Sequence, residues 1–503
     1  MLVCRLKLAG KHNSLYWSLL VKISKTSFCS IILAICVVLL AFSPVDARVR
    51  NIASASDIES LRFLSPNNMP LKVLVVYLPD QKNENFVVSL INIVAQMHES
   101  GSVKQDDSFK VHIIPGWQMT QANHEHLQKL VGAERVKKFV EFNNRFSTQD
   151  MWMQDWGEVG VIKLKGERKP QTVVFDSNRG RGIGELPGIL ASFWNSYLVK
   201  NPSNQFSGGD YGGNIEVTPD NILLIGNTST QALRDYLEKN GYRNRMAVLE
   251  TDWLTVGHVD EYISVCPNPK AARGYTLIKA NPRLALRMIK NSSEAEINKV
   301  PHKEYRKALL RIRHYLHRAE IDRAKAGRSN ISASEKGFAE TVLDYIEKPD
   351  SVDETLPAML SGASLSSDHE IPMSQVEEFI KLNLTIGNLI DTNVKTACQK
   401  ISQVTKSGKS HSIISFPALY RKTSGNKHIA YLPGSVNQLI LNDQLIVPDP
   451  KVRAMRLYIQ KTTEKIGLHA NFVDSLPYHN LEGQLHCGSN VFRHPNKYFV
   501  KPR

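Results

Sequence analysis

The chain has 503 residues, 42% hydrophobic and 22% charged, a balance that excludes a disordered polypeptide and leaves ample apolar material for a large core. Its formal net charge is +15, yet thirteen Lys and Arg against five Asp and Glu fall between Asn281 and Asn330. The charge therefore belongs largely to one segment, and no nucleic-acid partner is expected.

From the amino end, five basic residues between Arg5 and Lys25 precede the apolar run Phe28 to Phe42, and Val45 and Ala47 suit a small-residue cleavage site. Residues 1–47 are read as a signal peptide and 48–69 as a linker, so the protein is expected to be secreted or exported. The alternative is an uncleaved membrane anchor, although the run is shorter than the roughly 20 residues that a spanning helix prefers.

Strand-like and helix-like runs then alternate. KVLVVYL (72–78) leads to a helical pattern through Phe86, Leu90, Ile93 and Val94, followed by FKVHII (109–114). TVVFDS (172–177), NILLIG (221–226), a helix around Ala232 to Leu237 and MAVLE (246–250) come next. QLIVPDP (444–450), a helix through Met455 and Ile459 and HANFVD (469–474) complete the series. Such alternation predicts an α/β fold. The segment 282–412 interrupts it and is expected to be a mostly helical insertion. Within it Tyr305, Leu309, Ile312 and Leu316 recur at helical spacing, which predicts an amphipathic basic helix over 303–327. Its basic side is either a solvated face or a docking surface for an acidic partner or a membrane.

Removal of the leader takes Cys4, Cys29 and Cys36 with it and leaves Cys266, Cys398 and Cys487. An odd number in an exported protein implies a free thiol or an intermolecular bond. No Cys-x-x-Cys pair or His-x-x-x-His spacing accompanies Cys487 in LHCGSN (485–490), which argues against zinc. Four polar motifs stand out elsewhere: WMQDWGEVG (152–160), FDSNRGRG (175–182), YGGNIEV (211–217) and GHVDEYI (257–263). If the last is a strand, His258 and Asp260 project from one face and share a site.

The set and its order resemble the catalytic domain of the protein-arginine deiminase family. Trp152 to Asp155 matches its Trp-x-Gln-Asp, and Phe175 to Arg181 its Phe-Asp-Ser with two arginines. Gly213 to Val217 matches Gly-Asn-Leu-Glu-Val, Gly257 to Glu261 matches Gly-His-Val-Asp-Glu, and His486 to Asn490 matches His-Cys-Gly-Thr-Asn. The stretch 433–450 also looks like the family's, and the resemblance covers 70–503, taken as one catalytic domain. It implies a five-bladed α/β propeller of the guanidino-group modifying superfamily, although no repeat is visible in the sequence itself.

For function the resemblance implies hydrolysis of peptidyl arginine to peptidyl citrulline and ammonia, through a covalent thiouronium on Cys487. Asp155 and Asp260 would hold the guanidinium and Trp152 would cover its apolar stem. His258 would act as general acid and base, and Arg179 and Arg181 would grip substrate backbone carbonyls. It also implies calcium, held by Gln154, Glu158 and Glu216 with the carbonyls of Gly212 and Ile215. A second site would use Asp176 and Ser177, but Trp156 stands where the family has an acid and Gly180 where it has an asparagine, so at most one ion is expected. The rival readings are a deiminase or amidinotransferase acting on a small guanidine, such as free arginine or agmatine, and a non-catalytic basic binding protein.

Overall fold

Val73, Leu74, Val75, Val76 and Tyr77 are wholly buried in the central part of a four-stranded sheet, as a continuous β-branched and apolar run requires. This strand, Asn68–Tyr77, runs antiparallel to the carboxyl-terminal Ser489–Tyr498 and parallel to Lys110–Pro115. The helix Glu84–Glu99 connects the parallel pair and buries Phe86, Val87, Leu90, Ile91 and Val94. In this computed structural model, residues 49–52, 55–79, 83–103, 108–117, 119–203, 205–325, 338–347 and 371–501 are described. Val49–Arg503 is one compact unit. The expected signal peptide lies outside the described residues.

The same pattern recurs. Two antiparallel strands are followed by a helical crossover and a third strand parallel to the second, because parallel neighbours need a crossover whereas antiparallel ones need only a turn. Gly157–Leu164 and Gln171–Asp176 are joined through helix Leu186–Phe193 to Tyr197–Lys200. Ile215–Val217 and Leu223–Gly226 are joined through Gln231–Leu237 to Met246–Leu249. Leu439–Leu441 and Gln444–Pro448 are joined through Arg453–Lys465 to His469–Val473. The strands Ile263–Pro267 and Tyr275–Asn281, with Ile413–Pro417, form a further copy whose crossover holds the long helical segment. With the first sheet, built from both ends of the described chain, the pattern occurs five times.

That segment begins where Asn281 caps helix Pro282–Asn291, its side chain accepting the Leu284 N–H at 2.9 Å. Helix Lys303–Lys325 buries Tyr305, Leu309, Ile312 and Leu316, in one cluster with residues of Val376–Thr405. Much of its basic face is already met within the protein: Arg313 pairs with Glu294, and Arg323 with Asp344 and Glu347. Among the described residues, no helix is long and apolar enough to cross a membrane.

The span 48–69 is not a bare linker. Arg50–Asn51 and Ile58–Phe63 are the two edges of a five-stranded sheet, and Ile58, Leu61 and Phe63 are buried in it. The stretch reads as loop because polar Asn and Pro residues follow it closely, while a short edge strand shows little of its pairing in sequence.

Candidate active site

Each copy of the pattern sends the turn before its first strand to one place. Asp155 precedes Gly157–Leu164, Gly213 precedes Ile215–Val217, and His258 and Asp260 precede Ile263–Pro267. Asn437 precedes Leu439–Leu441, and Cys487 precedes Ser489–Tyr498. Cys487 is buried, and its Sγ receives the Asn437 amide at 3.2 Å and lies 3.7 Å from Asp260 Oδ2. Its N–H donates to Asn437 Oδ1 at 3.3 Å, while its carbonyl accepts the Gln154 N–H at 3.1 Å. Burial raises the thiol well above its ordinary range, and the Asp260 and Asp155 carboxylates add to the rise.

His258 and Asp260 do share the site, but not by strand alternation. His258 is extended, and a tight helical turn, Val259–Glu261, follows it. Glu261, pushed up to about 8 by burial, accepts the N–H groups of His258 and Gly257 at 3.0 and 3.1 Å and holds the turn. Both functional side chains close on Gly213, where a Cβ would come within 2.5 Å of His258 Nδ1 and 3.1 Å of Asp260 Oδ2. Only glycine fits there. His258 Nε2 donates to the Gly208 carbonyl at 2.9 Å, and its buried Nδ1 has no hydrogen-bond partner.

Asp260 Oδ2 also receives His486 Nδ1 at 2.8 Å, and Asp260 Oδ1 is buried without a partner. Burial works to lower the His486 imidazole, but the hydrogen bond and charge of Asp260 outweigh it and raise the group.

The two arginines part company. Arg179 is buried, donating to Asp155 Oδ2 at 2.5 Å and to Asp150 Oδ2 from two nitrogens at 3.1 and 3.2 Å, with its guanidinium 4.8 Å from the centre of the Tyr211 ring. In this structure Arg179 braces Asp155. Arg181 is exposed on a tip where Gly180, Arg181 and Gly182 all have positive φ, 67°, 48° and 80°. Trp152 lies edge-on to Tyr478 with ring centres 5.8 Å apart and packs tightly on Gly483.

Gln154, Glu158, Ile215 and Glu216 line a cavity of about 60 Å³ together with His486, Gln438 and Arg493. Burial and the charge of Glu216 push the Glu158 carboxyl far up, and burial pushes Glu216 up to about 7. Gly212 lies close enough that a Cβ would approach Glu158 Oε1 to 2.9 Å. Both polar atoms of the buried Gln438 side chain lack partners. An oxygen-rich cavity with unmet polar groups and crowded carboxylates fits a hard cation such as calcium. The buried Arg493 guanidinium already offsets part of the negative charge. Asp176 and Ser177 take no part in lining that cavity: Asp176 accepts the Asn178 N–H and faces a separate groove shared with Arg145 and Lys200, Ser177 donates to the Asp155 carbonyl, and Trp156 is packed in the core. Among the described residues, no group of three or more His, Cys, Asp and Glu side chains is arranged to hold a metal.

Sequence reasoning missed Asn437, Asp150, Tyr211 and the role of His486. Only the stretch 433–450 and the motifs around the other three marked them, and polar loop residues show no periodicity to read.

A buried cysteine ringed by carboxylates and an imidazole defines a candidate thiol-nucleophile site. The model of the protein-arginine deiminase family matches residues 102–336 and 362–499, and the chain belongs to that family. It is 28% identical over 386 residues to rat protein-arginine deiminase type-3, covering 69% of this chain and 47% of the relative. Against human protein-arginine deiminase type-4 the identity is 26% over 376 residues, with the same coverage. The chain thus spans about half the length of the curated relatives it matches. Among solved structures, a putative peptidyl-arginine deiminase is 13% identical with a TM-score of 0.47, covering 87% of this chain and 100% of that one. An agmatine deiminase of C. jejuni is also 13% identical, with a TM-score of 0.45, covering 86% and 96%.

Proposed function

We propose that the protein hydrolyses arginine residues of polypeptides to citrulline and ammonia. The observation that carries this is Asp260, whose Oδ2 lies 3.7 Å from the Cys487 thiol while its buried Oδ1 has no partner, a carboxylate waiting for a donor beside a nucleophile. The partner suited to Asp260 and Asp155 together is a planar, permanently charged guanidinium, and Asp155 already holds one in Arg179. A substrate guanidinium between them sets a cation against the charges that hold the thiol up, so binding favours thiolate.

The thiol proton passes to His258 Nδ1, and Sγ attacks the guanidinium carbon. His258 returns the proton to the departing ammonia, leaving a thiouronium on Cys487. His258 then takes one proton from water as its oxygen adds to the carbon. Sγ leaves as thiolate and takes up the remaining hydroxyl proton to restore the thiol as citrulline forms, and His258 releases its proton to solvent. The five-fold recurrence of one strand pattern, with its turns meeting at this site, supports a five-bladed α/β propeller. The apolar run Phe28 to Phe42 supports export.

Because Arg181 is the arginine left exposed, it is the one available to substrate carbonyls. Arg181→Ala should raise KM for a long peptide about tenfold while changing kcat little. An equal change with a blocked single arginine would show that Arg181 does not hold the backbone.

Calcium would be held by Gln154, Glu158 and Glu216 with the carbonyls of Gly212 and Ile215, where it would neutralise the two carboxylates. Gln154 itself ties that cavity to the Cys487 carbonyl. Glu216 has a folded-state value near 7 against an ordinary 4.5, so the cost of ionising it is absent at low pH and grows as pH rises through that window. Glu261 adds a similar loss that calcium does not touch. Calcium should therefore raise Tm by on the order of 5 °C at pH 8 and much less at pH 5, with Glu216→Gln reducing the difference. Identical melting with calcium and with chelator at pH 8 would remove calcium from the cavity.

A further inference from the structure

Among the described residues, Trp117 and Phe206 are the only Trp and Phe side chains more than half exposed, at 65% and 72%, and both stand near the Arg181 tip. Phe206 lies over Gly180, where a Cβ would meet its ring at 3.0 Å. Trp117 and Leu481, itself 55% exposed, line a groove of about 450 Å³ with Trp152, Arg181, Thr148 and Asp150. The Trp117 indole donates to the Ser147 carbonyl at 3.0 Å, which fixes the ring while its face remains open. Leu481 lies two residues before Gly483, on which Trp152 packs, so the groove shares a wall with the candidate site. Asp150 joins them from beneath, because the Arg179 it holds also reaches Asp155.

Large apolar side chains held open to solvent beside an exposed cation suit an extended peptide: the guanidinium meets backbone carbonyls, and the apolar walls meet a side chain. Among the described residues, no carboxylate pairs with Arg181, which leaves it available for that contact. We propose that this groove is a subsite for an apolar or aromatic residue flanking the target arginine in a polypeptide substrate. The inference rests on the deiminase function proposed above and adds to it the class of sequence preferred. A free guanidine would gain nothing from the groove, whereas a flanking leucine would bury most of its side chain there.

The test compares three substrates: a blocked single arginine, a peptide with leucine on both sides of its arginine, and the same peptide with glycine there. Citrulline formation by the full chain should show kcat/KM about tenfold higher for the leucine peptide than for the glycine peptide, with the difference mainly in KM. Trp117→Ala, and separately Leu481→Ala, should bring that ratio towards unity, with melting curves confirming that each variant is folded. A ratio near unity in the unaltered protein, or a preference that survives both substitutions, would overturn the subsite. Citrulline formed equally well from both peptides would leave the deiminase function standing without it. Citrulline from none of the three would overturn the deiminase function and the subsite together.

Discussion

Cys487→Ser should lower citrulline formation by roughly a thousandfold or more, because the serine hydroxyl is a far weaker nucleophile than a thiolate. The substitution removes little volume, so the melting temperature should move only slightly. The Asn437 amide that now meets Sγ can meet a hydroxyl in its place. Cys266 and Cys398 cannot substitute. Both are unpaired, but neither lies within reach of Asp155 and Asp260, the carboxylates that act on Cys487. Substantial turnover by the serine variant, measured as citrulline by a colour reaction, would contradict the nucleophile assignment.

Asp260→Asn should produce two effects of opposite sign. Its carboxylate is buried, meets His486 and lies beside Sγ, so losing its charge removes one of two contacts to the substrate cation. Deimination should fall about a hundredfold or more, as happens when a buried charge partner of a reacting group is deleted. The same charge raises the Cys487 thiol, so its loss lowers the thiol towards its ordinary range and increases the thiolate present at neutral pH. Alkylation of Cys487 by iodoacetamide at pH 7.5, followed by mass spectrometry of its peptide, should therefore become faster in the variant while catalysis is lost. Slower alkylation together with lost catalysis would mean that Asp260 acts by holding the loop in shape rather than by its charge.

Strands were legible where an unbroken apolar run is buried, as in Leu223–Gly226, because burial on both faces leaves a continuous hydrophobic signal. The wholly buried Tyr275–Asn281 was not, since Thr276, Lys279 and Asn281 break its run. The recurrence of the strand pattern was not legible either. First strands of only three residues, such as Ile215–Val217 and Leu439–Leu441, carry too little pattern to align. One crossover is a seven-residue helix, whereas another holds the whole helical segment, so no constant period exists. Strand pairing between the two ends of the chain also leaves no local trace, although it sets Cys487 against Gln154.

At the site, Cys487, His258, Asp260 and Asp155 could be named from their motifs because their spacing within each motif is local. The division of labour between Arg179 and Arg181 could not. It depends on which of two neighbouring side chains meets Asp150 and Asp155, and three consecutive residues of positive φ decide that by turning Arg181 outward. Asn437 illustrates the same point. Its amide holds the thiol from a turn fifty residues away, and nothing in its own neighbourhood distinguishes it from other loop asparagines.

The most direct test of the central claim is to incubate the protein, with calcium, separately with an arginine-rich protein, free arginine and agmatine, and to follow citrulline, carbamoylputrescine and ammonia together. The predicted result is that arginine residues within the protein substrate gain just under one dalton each, as nitrogen is replaced by oxygen, with ammonia released in equal amount and Cys487→Ser inactive. Rapid conversion of free arginine or agmatine, with the arginine-rich protein left at its original mass, would contradict the claim that the site at Cys487 is built for polypeptides.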